Sequence, residues 1–498
     1  MPHLPTKHPR SPASSSRMQP LALALAVAIG ANAAGDRAAA SVPTRPDGSL
    51  LWPVTNCDDA GAGSLRDAAA HANSGDGIDL GGLACSTISV TSGAITLHDV
   101  ELTGPGAAQL VIDGTGNQGH RIFNHAGAGG SLDVSGVTIQ GGHYASVGDK
   151  GGGCLRSVGG NLRIRNSVMR TCSVVTPVGQ YGDARGGAIA SYGTGDVRLY
   201  DSTIDSNIAR TDHGIAVGAG VYAQGSVAMY RSTITNNWVS SAQAGASVAG
   251  GGLLTNGSVW IEDSTLDGNV SSRDGGAAWV GEGGVLLRST VSRNTSSGGT
   301  AGIVMLGHNN TAARIYSSTM SGNVSQASSQ WLSGAAYLNT ATSTITNCTI
   351  TANSETNQVP MKFGAGIVFG QDAVAVSMSG TIAAGNYFDD GDPPYAADDI
   401  DGPASLTIVG DTDIVGWTHR PVPIDTVFES DPRLGPLQDN GGPTLTHLPL
   451  PDSPAIDRGA AHGFDVDQRG LARVVGTAAD VGAVESNDVI FANGFEGA

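Results

Sequence analysis

Short segments of alternating apolar and polar residues follow one another along most of this chain. In the segment 197–204, alternation places Val197, Leu199, Ser202 and Ile204 on one side, with a bend in the middle. Each such segment has three to five residues, which is the length of a strand and too short for a helix. The pattern therefore predicts many short strands that each bury one face.

A Ser-Thr-apolar-x-x-Asn motif repeats through the chain, with Cys in place of Ser at 348. It starts at residues 202, 232, 264, 289, 318 and 348, and a form one residue longer starts at 380. A second apolar segment follows a glycine pair, as in 185–191, and a third precedes the Ser-Thr motif, as in 196–201. Repeats with three short strands and no helix predict an all-β fold, a parallel β-helix (a solenoid) of about ten three-strand coils. The period does not determine the handedness, but coils of uneven length resemble those of the right-handed family, so we expect a right-handed parallel β-helix.

Equivalent positions of successive coils are expected to stack about 4.8 Å apart. The residue before Ser-Thr then gives an ion-pair ladder of Asp201, Arg231, Asp263 and Arg288. The last residue of the motif gives an amide ladder at a turn, which consists of Asn207, Asn237, Asn269, Asn294, Asn323 and Asn353. We interpret both ladders as structural.

Both ends of the repeat region differ from the repeat itself. Residues 64–73 carry the one clear helical pattern, with a serine N-cap and an alanine-rich interior, and we expect this helix to cover the first coil. The predicted organisation is an N-terminal cap at 54–93, the β-helix at 94–415, a C-terminal module at 416–485 and a short tail at 486–498.

The end motifs are similar to those of a known group of bacterial proteins. GSLRDA and ANSGD near the N-terminal cap, LTGPGA at 102–107, LVIDG at 110–114 and the long segments 431–459 and 467–485 carry the likeness. Together they resemble the choice-of-anchor Q and polymorphic outer membrane protein-like family. That resemblance implies a pectin-lyase-like β-helix that is exported and often attached to the cell surface, and it implies no known reaction.

The first 33 residues have the order of a secretory signal peptide. Three basic residues precede the apolar run 21–29 and the small residues 31–33, and 34–53 reads as a linker. The run is too short for an ordinary transmembrane helix, and we expect no transmembrane span elsewhere. A net charge of −18 with only three lysines excludes a general nucleic-acid-binding surface.

The chain has five cysteines, and export would place them in an oxidising compartment. Cys57 with Cys85 and Cys154 with Cys172 are the local candidates for disulfides. Cys348 occupies the inward position of the motif serine, which predicts a buried core residue.

Candidates for catalysis or metal binding are few. Asp205 and Asp267 occupy equivalent positions two coils apart, about 9.6 Å, which suits an inverting carboxylate pair but also suits solvated turn residues. An acidic segment at 387–402 offers oxygen ligands for calcium, although its default interpretation is a solvated loop. Its acids are Asp389, Asp390, Asp392, Asp398, Asp399 and Asp401.

We therefore expect an exported, extracellular or surface-located monomer with a structural, adhesive or glycan-binding role and no catalysis. Its partners would be glycans or cell-surface components, with no cofactor unless calcium binds. The alternative is a polysaccharide lyase or glycoside hydrolase on the same scaffold. Aromatic residues suited to sugar contacts are Tyr192, Tyr222, Trp238, Trp279, Trp331 and Tyr337. Trp279 and Tyr337 follow a glycine pair, a position that equally suits a core residue of a strand. The expected contact side carries the loops 173–184, 208–217, 238–249, 324–332 and 354–363.

Overall fold

The computed structural model describes residues 42–486, except 118, 128, 146–150, 244, 308–310, 327–333, 357–363, 390–395 and 424. The predicted signal peptide, most of the predicted tail, Asp390, Asp392 and Trp331 lie outside the described residues. Within them, no helix is long and apolar enough to cross a membrane.

The described strands form four long sheets and one short sheet, which we number in the order in which one coil passes through them. Sheet 1 contains Ile95–Leu97, Phe123–Ala126, Leu155–Val158, Ile189–Tyr192, Val221–Ala223, Leu253–Thr255, Ala278–Val280, Ile303–Leu306, Ala336–Asn339, Ile367–Phe369 and Ile400–Asp401. Sheet 2 contains Leu51–Pro53, Gly77–Asp79, Glu101–Thr103, Ser131–Ser135, Asn161–Arg165, Val197–Tyr200, Val227–Tyr230, Val259–Glu262, Gly284–Leu287, Ala312–Tyr316, Thr342–Thr346, Ala375–Ser379 and Ile408–Asp411.

Sheet 3 contains Thr87–Ser89, Val111–Asp113, Thr138–Gln140, Val168–Arg170, Thr203–Asp205, Thr233–Thr235, Thr265–Asp267, Thr290–Ser292, Thr319–Ser321, Thr349–Thr351, Ile382–Ala383, Ile414–Val415 and Val427–Phe428. Sheet 4 contains His143–Tyr144, Ser173–Val175, Ile208–Thr211, Trp238–Ser241, Val270–Ser271, Thr295–Ser296, Val324–Ser325, Ser354–Thr356, Tyr387–Asp389 and Ala396–Ala397. Sheet 5 contains Ala184–Arg185, Ala216–Val217 and Val248–Ala249.

This arrangement is the predicted parallel β-helix. Neighbouring strands of each sheet pair in parallel, as in Val197 with Val227 and Val227 with Val259, and the antiparallel pair Tyr387 with Ala397 is an exception at the end of sheet 4. The eleven strands of sheet 1 correspond to eleven coils among the described residues. Sheets 2 and 3 both have strands before residue 94, and sheet 3 has the strand Val427–Phe428 after residue 415, so strands also occur outside the range 94–415.

Each central coil contains a fourth strand that the sequence analysis counted as loop. The strand Ile208–Thr211 of sheet 4, for example, follows directly after Asn207. The sequence did not reveal these strands, because they are two to four residues long and lead into irregular segments, so that alternation is hard to recognise.

One continuous apolar core fills the interior of the coils. Val197, Leu199 and Ile204 are fully buried in it, and Ser202 is buried beside them, as alternation predicts. The helix Leu65–His71 lies where the sequence predicts it and packs its buried alanines against this core.

A buried asparagine ladder runs between sheets 3 and 4. The amide Nδ2 of Asn237 donates to Oδ1 of Asn269 at 2.9 Å, and the backbone N–H of Asn237 donates to the same oxygen at 3.1 Å. The same pair of bonds recurs at every step from Asn207 to Asn386. All the predicted asparagines belong to this ladder, and they have no exposed surface.

A parallel ladder of hydroxyls occupies the turn between sheets 2 and 3. Backbone N–H groups donate to the hydroxyl of the next coil, as from Ser232 to Ser264 at 3.0 Å. Cys348 takes one position of this ladder; it is fully buried and forms no disulfide, its thiol donates to the carbonyl oxygen of Thr346, and burial raises the pKa of the thiol to about 12.

Both ladders end in a buried carboxyl group. Asn386 donates to Asp399 Oδ1, and the backbone N–H of Thr381 donates to Asp413 Oδ1. Burial raises the pKa of Asp399 to about 7 and that of Asp413 to about 8. The second oxygen of Asp399 accepts a bond from the Trp417 N–H, whereas Asp413 Oδ2 has no hydrogen-bond partner in the described part of the chain.

The predicted Asp-Arg ladder forms two separate ion pairs. Arg231 binds Asp201 at 2.7 Å, and Arg288 binds Asp263 at 2.7 Å. All four residues have φ values of 46–50°, so each sits in a left-handed turn between sheets 2 and 3. The structure also joins Cys57 to Cys85 and Cys154 to Cys172 as disulfides.

The C-terminal module lies on the outer face of the later coils of sheet 3. Gln468 bonds to the hydroxyls of Thr290 and Thr319, and His447 bonds to the hydroxyl of Ser321 at 2.8 Å. These outward-facing side chains of sheet 3 are consequently buried.

Replacing a central asparagine should destabilise the fold. N269A leaves the amide and the N–H of Asn237 without their acceptor in a buried site, which should lower the free energy of unfolding by about 3 kcal/mol. Chemical denaturation followed by circular dichroism measures this change. N256A, at an exposed asparagine, is the matched control and should change little. Equal changes in the free energy of unfolding for N269A and N256A would show that the asparagine ladder does not stabilise the fold.

The contribution of Asp413 to stability should fall as the pH rises from about 4 to 8. Asp413 has a folded-state pKa raised above its ordinary value of 3.8, so its stabilising contribution is complete below that value and is lost as pH rises through 8. D413N should therefore raise the free energy of unfolding at pH 8, by on the order of 2–4 kcal/mol, and leave it nearly unchanged at pH 4.

D399N is the control for that experiment. An amide at this position would place an N–H group against the N–H of Trp417, so no stabilisation at pH 8 is expected. Denaturation midpoints at both pH values provide the measurement. A D413N variant that is no more stable at pH 8 than the unchanged protein would show that Asp413 does not determine the pH dependence.

Candidate functional site

A cleft of about 450 Å³ lies between the outer face of sheet 1 and the short sheet 5. We call it the aromatic cleft. Tyr222, Leu254 and Trp279 form its floor in register on three adjacent strands, and Val217 and Ala249 form a wall. Its volume and largely apolar lining are those of a small-molecule site.

Glycines set the angle between the floor and the wall. Gly218 separates a strand of sheet 5 from the next strand of sheet 1, and its φ of +57° is a left-handed conformation. A side chain there would collide with the carbonyl oxygen of Val221, and Gly186 and Gly250 play the same part in neighbouring coils. The repeated glycine pair of the sequence is therefore what folds sheet 5 back beside sheet 1.

Charged side chains stand at the two ends of the wall. Arg185 is bound to Asp183 at 2.8 Å, to the Tyr222 hydroxyl at 3.1 Å and over the Tyr222 ring at 5.3 Å. Asp274 lies in the same row at the other end, three coil steps or about 14 Å away. Arg273 precedes it and also lines the cleft.

The polar atoms of the Asp274 and Arg273 side chains are available to bond a ligand. Within the described residues, neither side chain makes a hydrogen bond or an ion pair. Burial raises the pKa of the Asp274 carboxyl, and the neighbouring Arg273 opposes that rise. A desolvated carboxyl next to an aromatic floor can accept hydrogen bonds from ligand hydroxyl groups while the floor covers an apolar ring face.

The aromatic cleft lacks the carboxylate pair that glycoside hydrolysis requires. Such pairs are about 5–10 Å apart. Asp274 is the one acid among the described lining residues, and Asp183 lies at the far end, bound to Arg185.

The structure places Asp205 and Asp267 in one row of sheet 3 on either side of Thr235, as the repeat predicts. Both carboxylates are already engaged. Asp205 accepts a bond from the Asn236 amide at 3.0 Å, and both oxygens of Asp267 accept bonds from Arg293 at 2.8 Å. Their lone pairs therefore serve contacts between coils.

The four described acids of the set proposed for calcium occupy different places in the fold. Asp399 ends the asparagine ladder, Asp401 pairs with Arg420 at 2.9 Å, Asp398 is buried, and Asp389 ends a strand of sheet 4. The described residues contain no group of three or more His, Cys, Asp or Glu side chains that could hold a metal ion.

One Asp-His-Ser chain was not foreseen from the sequence. His125 bonds through Nε2 to Asp99 at 2.9 Å and through Nδ1 to Ser157 at 2.7 Å. Ser157 is completely buried inside the coils, so no substrate reaches its hydroxyl. Burial lowers the pKa of His125, and the three residues form an internal polar network. His125 and Ser157 are 32 residues apart, which is about one coil, and this spacing could have predicted that the two residues stack on each other.

The predicted sugar-contact residues fall into two groups. Tyr222 and Trp279 belong to the cleft floor, and Tyr192 packs against Tyr222 with ring centroids 5.6 Å apart. Trp238 is exposed on sheet 4, and Tyr337 lies on sheet 1 away from the cleft. The predicted loops 208–217 and 238–249 supply cleft residues, including Ile215 and Val248.

Comparisons with known proteins leave the family open. No protein-family model matches the sequence, and no curated protein sequence matches it. A solved structure with some similarity is that of pectate lyase Pel9A, with 13% sequence identity, coverage of 89% of this chain and 98% of that chain, and a TM-score of 0.38. That likeness is too weak to support any activity, and the resemblance to choice-of-anchor Q proteins stays a prediction.

Proposed function

We propose that this protein is an exported β-helix that binds a neutral glycan in the aromatic cleft and does not turn it over. The observation that carries the proposal is the combination of Trp279 and Tyr222 on the floor with the unpartnered Asp274 carboxyl at the end. Its role would be adhesive or structural at the cell surface or outside the cell.

The chemistry of the cleft suits a sugar ring. The ring's apolar face covers Trp279, Asp274 accepts hydrogen bonds from two hydroxyl groups, and Arg273 donates to a third oxygen. A site that is built to bond hydroxyl groups discriminates strongly against ligands without them, because its buried polar groups are then left unpaired.

The two disulfides support export. Both close within the N-terminal half of the chain, and such bonds persist in oxidising compartments. The basic and apolar order of residues 1–33, which lie outside the described structure, points the same way.

Calorimetric titration with neutral oligosaccharides tests the proposal. Cello-, xylo- and manno-hexaose serve as probes, and W279A should weaken binding of the preferred probe about tenfold or more, because it removes the stacking surface. W238A removes an exposed tryptophan on sheet 4 and should leave binding unchanged.

The pH dependence of the same titration identifies the carboxyl. Because the pKa of Asp274 is raised, binding should weaken as pH falls through that pKa, and D274N should bind weakly with little pH dependence. Release of new reducing ends or unsaturated products from any probe would instead establish a hydrolase or lyase. If W279A and W238A lowered the oligosaccharide affinity equally, the aromatic cleft would not be the binding site.

A further inference from the structure

A second groove, of about 610 Å³, lies on the outer face of sheet 2. The register of five adjacent strands places Arg198, Ala228, Trp260, Val285 and Arg314 in one row along the coil axis. None of these residues belongs to the aromatic cleft, which is built on sheets 1 and 5.

The row is symmetric about its tryptophan. Trp260 is 40% exposed and stands between the small side chain of Ala228 on one side and Val285 on the other. Each depression is therefore bounded by the indole at its inner end and by an arginine at its outer end. Each arginine lies two coil steps from Trp260, or about 9.6 Å.

The indole is held in position before any ligand arrives. Its Nε1 donates to Glu262 at 2.9 Å, and Glu262 in turn accepts a bond from Arg288 at 2.6 Å. Tyr200 and Tyr230 lie beside the row as a flat pair, with ring centroids 5.1 Å apart and planes within 7°. A prearranged aromatic surface of this kind loses little side-chain entropy on binding.

The arginines can receive negative charge. Arg314 is exposed and has no ion partner among the described residues. Arg198 pairs with Asp196 at 3.1 Å, but both side chains are well exposed, so this contact is weak and is readily exchanged for a bound carboxylate.

We propose that this row binds a linear polysaccharide that carries carboxylate groups. The chain lies along the coil axis, with a sugar unit in each depression beside Trp260 and carboxylates on Arg198 and Arg314. An acidic peptide fits less well, because the face of a sheet offers no free backbone groups for strand addition. Bidentate bonds from guanidinium groups to carboxylates supply the selectivity.

Titration with alginate oligosaccharides, cello-hexaose and poly-glutamate tests this second site. R314Q should weaken alginate binding about tenfold, and W260A should weaken it at least as much. R163Q is the matched control, because Arg163 lies in the same row one coil beyond Arg198 and is paired with Asp133. Binding should also weaken as salt rises, since it depends on exposed charges.

Several results would overturn the inference: no alginate binding, equal binding of cello-hexaose, stronger binding of poly-glutamate, or equal losses in R314Q and R163Q. The two sites are separated by one further variant. W279A should leave alginate binding unchanged. The alginate titration therefore tests the sheet 2 groove, and the titration with neutral oligosaccharides tests the aromatic cleft, independently of each other. Thermal melts of R314Q and W260A confirm that each variant folds.

Discussion

The asparagine ladder is the interaction on which the rest of the structure depends. An amide offers both an acceptor and a donor, so each asparagine satisfies the turn of the coil before it and is itself satisfied by the coil after it. Because these groups are buried, a coil that slipped by one residue would leave several of them unpaired. The ladder thereby fixes the coils from Cys172 to Asp399 in register with their neighbours.

The fixed register aligns exposed side chains of successive coils into rows on the outer surface. Strand alternation buries one row of side chains and exposes the next, and stacking then repeats each exposed position about every 4.8 Å. Tyr222, Leu254 and Trp279 become a continuous floor in this way, and Arg198, Trp260 and Arg314 become one line. Neither site needs residues that are close in sequence, because spacing by one coil replaces proximity along the chain.

The sequence was sufficient for the repeating part of the fold. Inward positions such as Leu199 and Ile204, the helix after Ser64 and the asparagine ladder all follow from local alternation and motif spacing. The fourth strand of each coil could not be predicted, because segments of two to four residues show too little periodicity.

The two sites were only partly visible from the sequence. Tyr222 and Trp279 were recognised as aromatic residues suited to sugars, but the wall of their cleft depends on how the glycine turns direct sheet 5. Trp260 was not recognised, since its importance comes from the small residues on either side of it in other coils. The acidic segment was expected by default to be a solvated loop, whereas Asp398, Asp399 and Asp401 are buried in the structure.

The ladder also has a direction, because every bond from one side-chain amide to the next is donated toward the C-terminal end. Its first acceptor bond comes from the backbone N–H of Cys172, which any residue except proline could provide, whereas its last member, Asp399, accepts without donating. Between Asn207 and Asn269, in coils that lie before the contacts described for the C-terminal module, the ladder would therefore accept a duplicated or deleted coil without a change at either of its ends. The solenoid can change its length from within, while the residue that closes it stays the same.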